Sequence, residues 1–264
     1  MLGAIFGDVV GSRFEWHNTK TKDFELLVDR CSPTDDSVMT CAVAEALLDG
    51  SDPARVMQQW GRDYPGYGYG GNFSGWIYSD VPRPYNSWGN GAGMRTSAVG
   101  WLFDSLEVTL AVAKEISSVT HDHPEGIKGA QAVSAAVFLA RSGSSKEEIA
   151  DYLRNNFYSL DFTLDQIRPT YTFDVSCQGS VPQALVAFLE SDSFEDAIRG
   201  AVSIGGDSDT IAAMTGAVAE AYYGIPDQLI DRLLPFIDDR MMEVITRFGR
   251  RTGLYRRLWE TESR

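Results

Sequence analysis

The amino-acid sequence predicts an all-α protein, built as a compact orthogonal bundle of many helices. Apolar residues recur at helical spacing along most of the 264-residue chain, and glycine or proline follows several of these segments, as is typical of helix ends. No segment shows the convincing alternation of apolar and polar residues that marks a half-buried strand. Only residues 171–175 suggest a short extended piece. The sequence therefore predicts helices of ordinary length and no sheet.

The first half of the chain carries three helical signals. Residues 38–49 form an alanine-rich apolar run that stops at Gly50, a residue type suited to the position after a helix. Residues 105–119 place apolar side chains at helical spacing. Residues 124–141 begin with a proline, which fits the first turn of a helix, and Gly143 would close that helix.

The second half of the chain carries five more helical segments. Residues 145–155 begin with a serine, and two glutamates follow in the first turn, where they suit the helix dipole. Two short helices are predicted at residues 182–190, which begin with a proline, and at 194–203. Residues 210–223 are rich in small residues that let helices approach closely, and residues 227–250 predict one or two amphipathic helices.

The composition predicts one domain over residues 1–264, since no linker or low-complexity block divides the chain. The hydrophobic fraction of 44% is that of an ordinary globular protein. With 23 basic and 37 acidic residues the net charge is −14. This charge argues against a nucleic-acid-binding face and against binding to an anionic membrane surface. The sequence does not indicate an oligomeric state.

The cysteines and the N-terminus predict a cytoplasmic location. The three cysteines are sparse and lack CxxC spacing, so they indicate neither a disulfide framework nor a zinc site, and they suit a reducing compartment. The first residues lack the basic segment of a signal peptide. No apolar stretch approaches the roughly 20 residues of a membrane span.

Two acidic clusters precede predicted helices, at residues 34–36 (Thr-Asp-Asp) and 207–210 (Asp-Ser-Asp-Thr). Helix capping would explain one such residue at each helix start. However, each cluster holds two carboxylates and a threonine hydroxyl, which are oxygen ligands suited to Mg²⁺ or Mn²⁺. If the two helix starts meet in space, so many carboxylates could not coexist without a cation. A pair of ions roughly 3.5–4 Å apart is a recognised catalytic arrangement.

Two glycine-rich segments, residues 66–73 and 87–95, also contain aromatic residues. Glycine lets the backbone approach a ligand closely, and backbone N–H groups can hold phosphates. The alternative is that both segments are simple turns, because the standard nucleotide-binding signatures are absent. His121 could contact a phosphate or orient a hydroxyl.

Taken together, these segments resemble the ADP-ribosylglycohydrolase family, which includes the ADP-ribosyl-acceptor hydrolases and the dinitrogenase reductase-activating glycohydrolase. The matching residues follow the family's order over most of the chain. They are Gly7, Asp8, Gly11, Glu15, Thr34, Asp35, Asp36, Ser37, Gly89, Asn90, Gly91, Met94, Arg95, Thr120, His121 and residues 205–210. The most specific feature is Thr-Asp-Asp followed far downstream by Gly-Gly-Asp-Ser-Asp-Thr.

The resemblance implies a central dinuclear site for two divalent cations, Mg²⁺ or Mn²⁺, that would grip the hydroxyls of the distal ribose. The implied metal ligands are Thr34, Asp35, Asp36, Asp207, Asp209 and Thr210. The implied catalytic residues are Glu15, Asp36 and Asp209, with Glu15 as a general acid or base. The implied substrate-binding residues are Gly70, Gly71, Ser87, Trp88, Gly89, Asn90, Gly91 and His121.

The implied function is metal-dependent hydrolysis of the N- or O-glycosidic bond between ADP-ribose and a modified protein side chain or small molecule. The arginine-specific branch carries an aspartate where residues 68–72 of this chain are Gly-Tyr-Gly-Gly-Asn, which is closer to the branch that acts on oxygen-linked ADP-ribose. Three alternatives remain. The first is a hydrolase for arginine-linked ADP-ribose or for free ADP-ribose derivatives. The second is a non-catalytic ADP-ribose-binding protein of the same fold, and the third is a generic Mg²⁺-dependent phosphohydrolase.

Overall fold

The computed structural model describes residues 1–260, and within this range the chain is helical and contains no strand. The all-α prediction is therefore confirmed. The α-helices, numbered in chain order, are α1 Leu2–Gly11, α2 Asp35–Asp49, α3 Pro53–Asp63, α4 Gly71–Ile77, α5 Gly91–Met94, α6 Ser97–Leu102, α7 Leu106–Ser118, α8 Pro124–Arg141, α9 Lys146–Asn156, α10 Leu164–Ile167, α11 Cys177–Glu190, α12 Phe194–Ser203, α13 Ser208–Tyr223, α14 Asp227–Leu233, α15 Asp239–Thr252 and α16 Arg256–Trp259.

The helices predicted from clear start and stop residues agree with the structure to within a few residues, but α11 begins earlier than predicted. The predicted helix starts at Pro182, whereas in the structure Pro182 lies inside α11. This helix is capped by the Ser176 hydroxyl, which accepts a hydrogen bond from the backbone N–H of Gly179. Residues 227–250 form two helices, with a 3₁₀ turn between them. Residues 171–175 form no strand, and one isolated bridge joins Gly89 to Ser176.

Helix α13 lies at the centre of the bundle. Every residue from Ser208 to Glu220 is buried, and the helix packs against α1, α8, α11 and α12. A helix surrounded on all sides can pack tightly only if its side chains are small, and α13 is correspondingly rich in alanine, threonine and glycine. The start of α13, which carries the second acidic cluster, is thereby fixed in the interior of the protein.

Helix α1 packs directly on α13 through a row of glycines. Gly3, Gly7 and Gly11 recur every four residues and so share one face of α1. A Cβ atom at Gly7 would overlap the backbone of Ala212, and one at Gly11 would overlap the Cα atom of Asp209. The row of glycines therefore lets the two backbones touch, and it brings the end of α1 to the start of α13.

The sequence predictions omitted α1, α3 and five shorter helices, α4, α5, α6, α10 and α16. Every residue of α1 is buried, so the helix has no polar face to produce an amphipathic pattern. Glycine also has a low helix propensity, which weakens the helical signal in this part of the sequence further. No helix among residues 1–260 combines the length and the apolar character needed to cross a bilayer.

We predict that Gly7→Ala strongly destabilises the protein. The added methyl group meets the backbone of α13 rather than a movable side chain, so we expect a loss near the upper end of the overpacking range, about 3 kcal/mol. Urea unfolding would measure this loss. The control is Gly75→Ala, because that position lies within α4 and faces open space. A wild-type midpoint for Gly7→Ala would contradict the close approach of α1 to α13.

Candidate functional site

A cavity of about 460 Å³ opens where the starts of α2 and α13 meet the glycine-rich loops. This volume is within the range of small-molecule sites in proteins. The residues that line it are Glu15, Trp16, Asp35, Asp36, Met39, Gly68, Gly70, Gly71, Asn72, Phe73, Tyr85, Ser87, Gly89, Asn90, Gly91, Met94, Arg95, His121, Phe173, Val175, Asp207, Asp209 and Thr210. The two acidic clusters, far apart in sequence, therefore face one space.

The carboxylates converge in two overlapping groups at one end of the cavity. One oxygen each of Asp8, Asp36 and Asp209 lies within 4.8 Å of the others, and the same holds for Glu15, Asp207 and Asp209. Asp209 belongs to both groups. The three helices α1, α2 and α13 and the turn after α1 thus supply acidic side chains to one site.

Helix capping accounts for Thr34 but not for the carboxylates. The Thr34 hydroxyl oxygen accepts a hydrogen bond from the backbone N–H of Asp36 at the start of α2. In contrast, Asp207 stands at the N-cap position of α13 but makes no side-chain capping hydrogen bond. Its carboxylate instead accepts a hydrogen bond at 2.7 Å from the side-chain amide of Asn90, another residue that lines the cavity. The acidic residues of the second cluster are therefore directed at the cavity rather than at the helix end.

Asp8 is a member of the site that the predictions did not assign. Both of its oxygens accept hydrogen bonds: from the Thr34 hydroxyl at 2.7 Å and backbone N–H at 2.9 Å, and from the Ser37 hydroxyl and backbone N–H. These bonds fasten the end of α1 to the start of α2. Asp8 therefore orients Thr34 and the first turn of α2, while its charge adds to that of the cluster.

Two carboxylate oxygens of the cluster are buried and have no hydrogen-bond partner. They are Oδ1 of Asp36 and Oδ1 of Asp209, and the other oxygen of Asp36 accepts from the Thr210 hydroxyl at 3.1 Å. Burial and the neighbouring carboxylates raise the pKa values of both Asp36 and Asp209 well above the ordinary value. Buried, unpaired carboxylate oxygens in a purely oxygen-donor set fit a hard divalent cation. The residues present could therefore bind metal.

Burial also raises the pKa values of the other acidic groups, Asp8, Glu15 and Asp35. Burial, with the charges of Asp8 and Asp207, raises the pKa of Asp35 to about 8. Burial raises the pKa of Asp8 to about 6 against the opposing effect of its hydrogen bonds. Burial and the charge of Asp207 raise the pKa of Glu15 to about 7. A set of carboxylates that all resist ionisation needs positive charge to become fully ionised at neutral pH.

The glycine-rich loops form part of the cavity wall. The second loop contributes four residues to the lining, Ser87, Gly89, Asn90 and Gly91. Trp88 does not line the cavity. Its side chain is 53% exposed, and its ring meets the ring of His123 edge-on at a centroid distance of 5.5 Å.

The other predicted substrate-binding residues, Gly70, Gly71 and His121, also lie on the cavity wall. His121 is buried. At the mouth, the ring of Trp16 stacks on Phe173 at 5.2 Å. The predictions named neither aromatic residue, since nothing in the sequence relates position 16 to position 173.

A family model described as ADP-ribosylglycohydrolase matches residues 1–261 of the chain. The chain belongs to the ADP-ribosylglycohydrolase family. The resemblance inferred from the sequence motifs is confirmed.

Relatives from animals and bacteria match most of the chain. Human ADP-ribosylhydrolase ARH3 is 28% identical, over 85% of this chain and 84% of that protein. ADP-ribosylarginine hydrolase Tri1 of Pseudomonas putida (strain GB-1) is 27% identical, over 85% of this chain and 70% of that protein. A solved structure described as an ADP-ribosylglycohydrolase-related protein complex has a TM-score of 0.67 at 23% identity, over 98% of this chain and 95% of that one. Family and relatives support an ADP-ribosyl glycohydrolase activity.

We predict that, without metal, stability falls as the pH rises from about 5 to about 8. The folded pKa of Asp35 lies above its unfolded value of about 4, so its protonated form stabilises the fold. That stabilisation is fully present below the unfolded pKa of about 4, is lost progressively as the pH rises to the folded pKa of about 8, and changes little above it. Thermal unfolding in EDTA would measure this, at about 2–4 °C in Tm for each kcal/mol lost.

Added Mn²⁺ or Mg²⁺ should raise the Tm most at the high-pH end, because metal ligands must be deprotonated. The control is Asp209→Asn, which removes the carboxylate shared by both groups and should abolish the response to metal. A Tm in EDTA that is flat or rises over this pH range, and is unchanged by metal, would contradict the prediction.

Proposed function

We propose that this chain is a metal-dependent hydrolase that cleaves the glycosidic bond between ADP-ribose and a modified acceptor and releases intact ADP-ribose. The observation that carries the proposal is the convergence of Asp36, Asp207 and Asp209 beside Glu15 at one end of a cavity. Glycine-rich loops line another part of that cavity. An acidic end and a glycine-lined channel suit the two halves of an ADP-ribosyl group, the reacting ribose and the diphosphate.

The residues proposed to hold two divalent cations are Thr34, Asp35, Asp36, Asp207, Asp209 and Thr210. When bound, Mg²⁺ or Mn²⁺ ions would act as Lewis acids and would hold the hydroxyls of the distal ribose beside the scissile bond. The chain prepares this set through hydrogen bonds outside it. Asp8 holds Thr34, and Asn90 holds one oxygen of Asp207.

Glu15 is the proposed general acid or base. It is partly buried on the cavity wall, and one of its carboxylate oxygens lies within 4.8 Å of oxygens of Asp207 and Asp209. Cleavage passes through a transition state that resembles an oxocarbenium ion, so a proton must be taken from water or given to the leaving group. A carboxyl group next to the ribose-binding end, with partial access to solvent, is suited to either transfer.

The glycine loops are proposed to bind the diphosphate and to orient the bond for cleavage. A Cβ atom at Gly89 would lie 3.4 Å from Nε2 of His121, and one at Gly91 would lie 3.3 Å from it. Glycine at both positions therefore keeps the channel open in front of the histidine. Binding energy gained far from the reacting carbon can then be used to position it.

The acceptor is proposed to be linked through oxygen. Residues 68–72 contribute Gly68, Gly70, Gly71 and Asn72 to the cavity wall and no carboxylate. The arginine-specific branch has an aspartate in this segment. One relative is named an ADP-ribosylarginine hydrolase, so the two linkages must be compared directly.

The deciding experiment measures release of free ADP-ribose from matched serine-linked and arginine-linked peptides in Mg²⁺, Mn²⁺ or EDTA. We expect metal-dependent release, faster from the serine-linked peptide, and none in EDTA. Faster release from the arginine-linked peptide would overturn the proposed linkage but not the reaction. Release of inorganic phosphate or AMP would indicate a phosphohydrolase. Metal-dependent binding of ADP-ribose without release of any product would indicate a binding protein.

We predict that Glu15→Gln lowers kcat by about 10²–10⁴-fold, the usual contribution of a general acid or base. The amide keeps the shape of the side chain, so the Kd for ADP-ribose should stay within about threefold of wild type. Steady-state hydrolysis and isothermal titration calorimetry would measure the two quantities. Glu107→Gln, at an exposed position in α7, is the matched control. A kcat within threefold of wild type would rule out this role for Glu15.

A further inference from the structure

Arg95 supplies the single lysine or arginine side chain among the residues that line the cavity. Its side chain is 1% exposed, and burial lowers its pKa only to about 10, so it is charged at neutral pH. A buried charge is costly unless it is paired or serves a ligand. Within the part of the chain the structure describes, no salt bridge to Arg95 is found, and its Nε atom is buried without a hydrogen-bond partner.

The guanidinium contacts two neighbouring residues at the N-terminal side of α8. Nη2 of Arg95 donates to the Thr120 hydroxyl at 2.6 Å and lies 3.1 Å from Nδ1 of His121. The Thr120 hydroxyl lies 2.7 Å from the same Nδ1. All three groups are buried. They form a closed triangle of polar contacts behind the glycine loop.

This triangle determines where the proton of His121 resides. A guanidinium only donates hydrogen bonds, so Nδ1 must accept in its contact with Arg95. The Thr120 oxygen accepts from Arg95, and its O–H has two acceptors within reach, Nδ1 of His121 and the Tyr85 phenol. The contact with Arg95 therefore decides the state of Nδ1. A proton on Nδ1 would instead point at the N–H of the guanidinium. Burial and the charge of Arg95 also hold the pKa of His121 well below the ordinary value, so the ring is neutral and its one N–H is on Nε2.

Nε2 is the atom of His121 that faces the channel. The distances from Nε2 to the Cβ positions of Gly89 and Gly91, 3.4 Å and 3.3 Å, put it against the loop proposed to bind the diphosphate. We propose that Arg95 is a positioning residue that holds His121 as the Nε2-protonated tautomer and supplies the positive charge on which the diphosphate of ADP-ribose binds. This inference rests on the proposed function for the identity of the ligand.

The inference explains how an acidic protein binds an acidic ligand. The chain carries a net charge of −14, and the ribose end of the cavity is lined by carboxylates. Two bound divalent cations would offset the carboxylates at the ribose end, and the diphosphate needs positive charge of its own farther along the ligand. Arg95, a buried residue of the cavity lining, provides that charge, and the Nε2–H of His121 provides a directed hydrogen bond.

The tautomer is tested first by long-range ¹H–¹⁵N correlation spectra of the histidine rings. The chain has only three histidines, and His121→Gln would assign the signals. We expect the His121 ring in the wild type to carry its proton on Nε2 at pH 7.5. In Arg95→Met, which removes every donor of Arg95, we expect a mixture of tautomers. A wild-type ring protonated on Nδ1 would overturn the inference.

The charge is tested by calorimetric titration of each variant with ADP-ribose in the presence of Mn²⁺. Loss of a hydrogen-bonded charge should raise the Kd of Arg95→Met at least about tenfold. Arg95→Lys keeps the charge and should restore part of the affinity. Arg141→Lys is the matched control, because Arg141 donates to the backbone carbonyls of Gly100 and Phe103 and does not line the cavity; its Kd should stay within twofold.

Each outcome separates this inference from the proposed function. Arg95-dependent binding without hydrolysis would support the inference and contradict the hydrolase proposal. If the wild type hydrolyses the substrate but both Arg95 variants have Kd values within twofold of wild type, the result would support the hydrolase proposal and contradict the inference. If Arg95→Met does not fold, Thr120→Val keeps the direct contact of Arg95 with Nδ1 and should leave the ring protonated on Nε2. A Thr120→Val ring protonated on Nδ1 would overturn the inference. A wild type that does not bind ADP-ribose would overturn the inference.

Discussion

The site depends on the direct backbone contact between α1 and α13. Gly3, Gly7 and Gly11 leave no side chain between the two helices, and the contact ends where α13 begins. Asp8, on α1, thereby comes within 4.8 Å of carboxylate oxygens of Asp209 on α13 and Asp36 on α2. The hydrogen bonds from Thr34 and Ser37 to Asp8 then fasten α2 to the same point. Three helix ends are thus joined by one short face of glycines and one aspartate.

Such a convergence opposes folding, because carboxylates at close range repel one another and lose hydration when they are buried. The large apolar core around α13 offsets this cost and holds the carboxylates in place. The buried oxygens without partners at Asp36 and Asp209 mark the places where the protein alone does not satisfy its own polar groups. Each buried polar group without a partner needs an explanation, and a bound cation is one that suits two carboxylate oxygens at such close range.

The cavity also carries charges of both signs. Its lining combines the carboxylates with the buried guanidinium of Arg95. An elongated ligand with hydroxyls at one end and phosphates in the middle matches this combination. Membership of the ADP-ribosylglycohydrolase family is consistent with that match. The aromatic pair Trp16 and Phe173 stands at the mouth, next to Glu15.

The sequence by itself determined the all-α class, most of the longer helices and the family, because helix starts, helix stops and the two acidic motifs are local patterns. Residue order could not reveal α1, whose glycines and uniformly buried surface lack an amphipathic signal. Nor could it reveal which of the motif residues cap a helix and which face the cavity. Thr34 and Asp207 occupy equivalent helix positions, yet only Thr34 makes the capping hydrogen bond. Only the tertiary structure decided that Asp207 turns away from its helix, because its partner Asn90 lies in another segment of the chain. The same reason applies to the contact of Arg95 with His121, since only packing brings these two segments together.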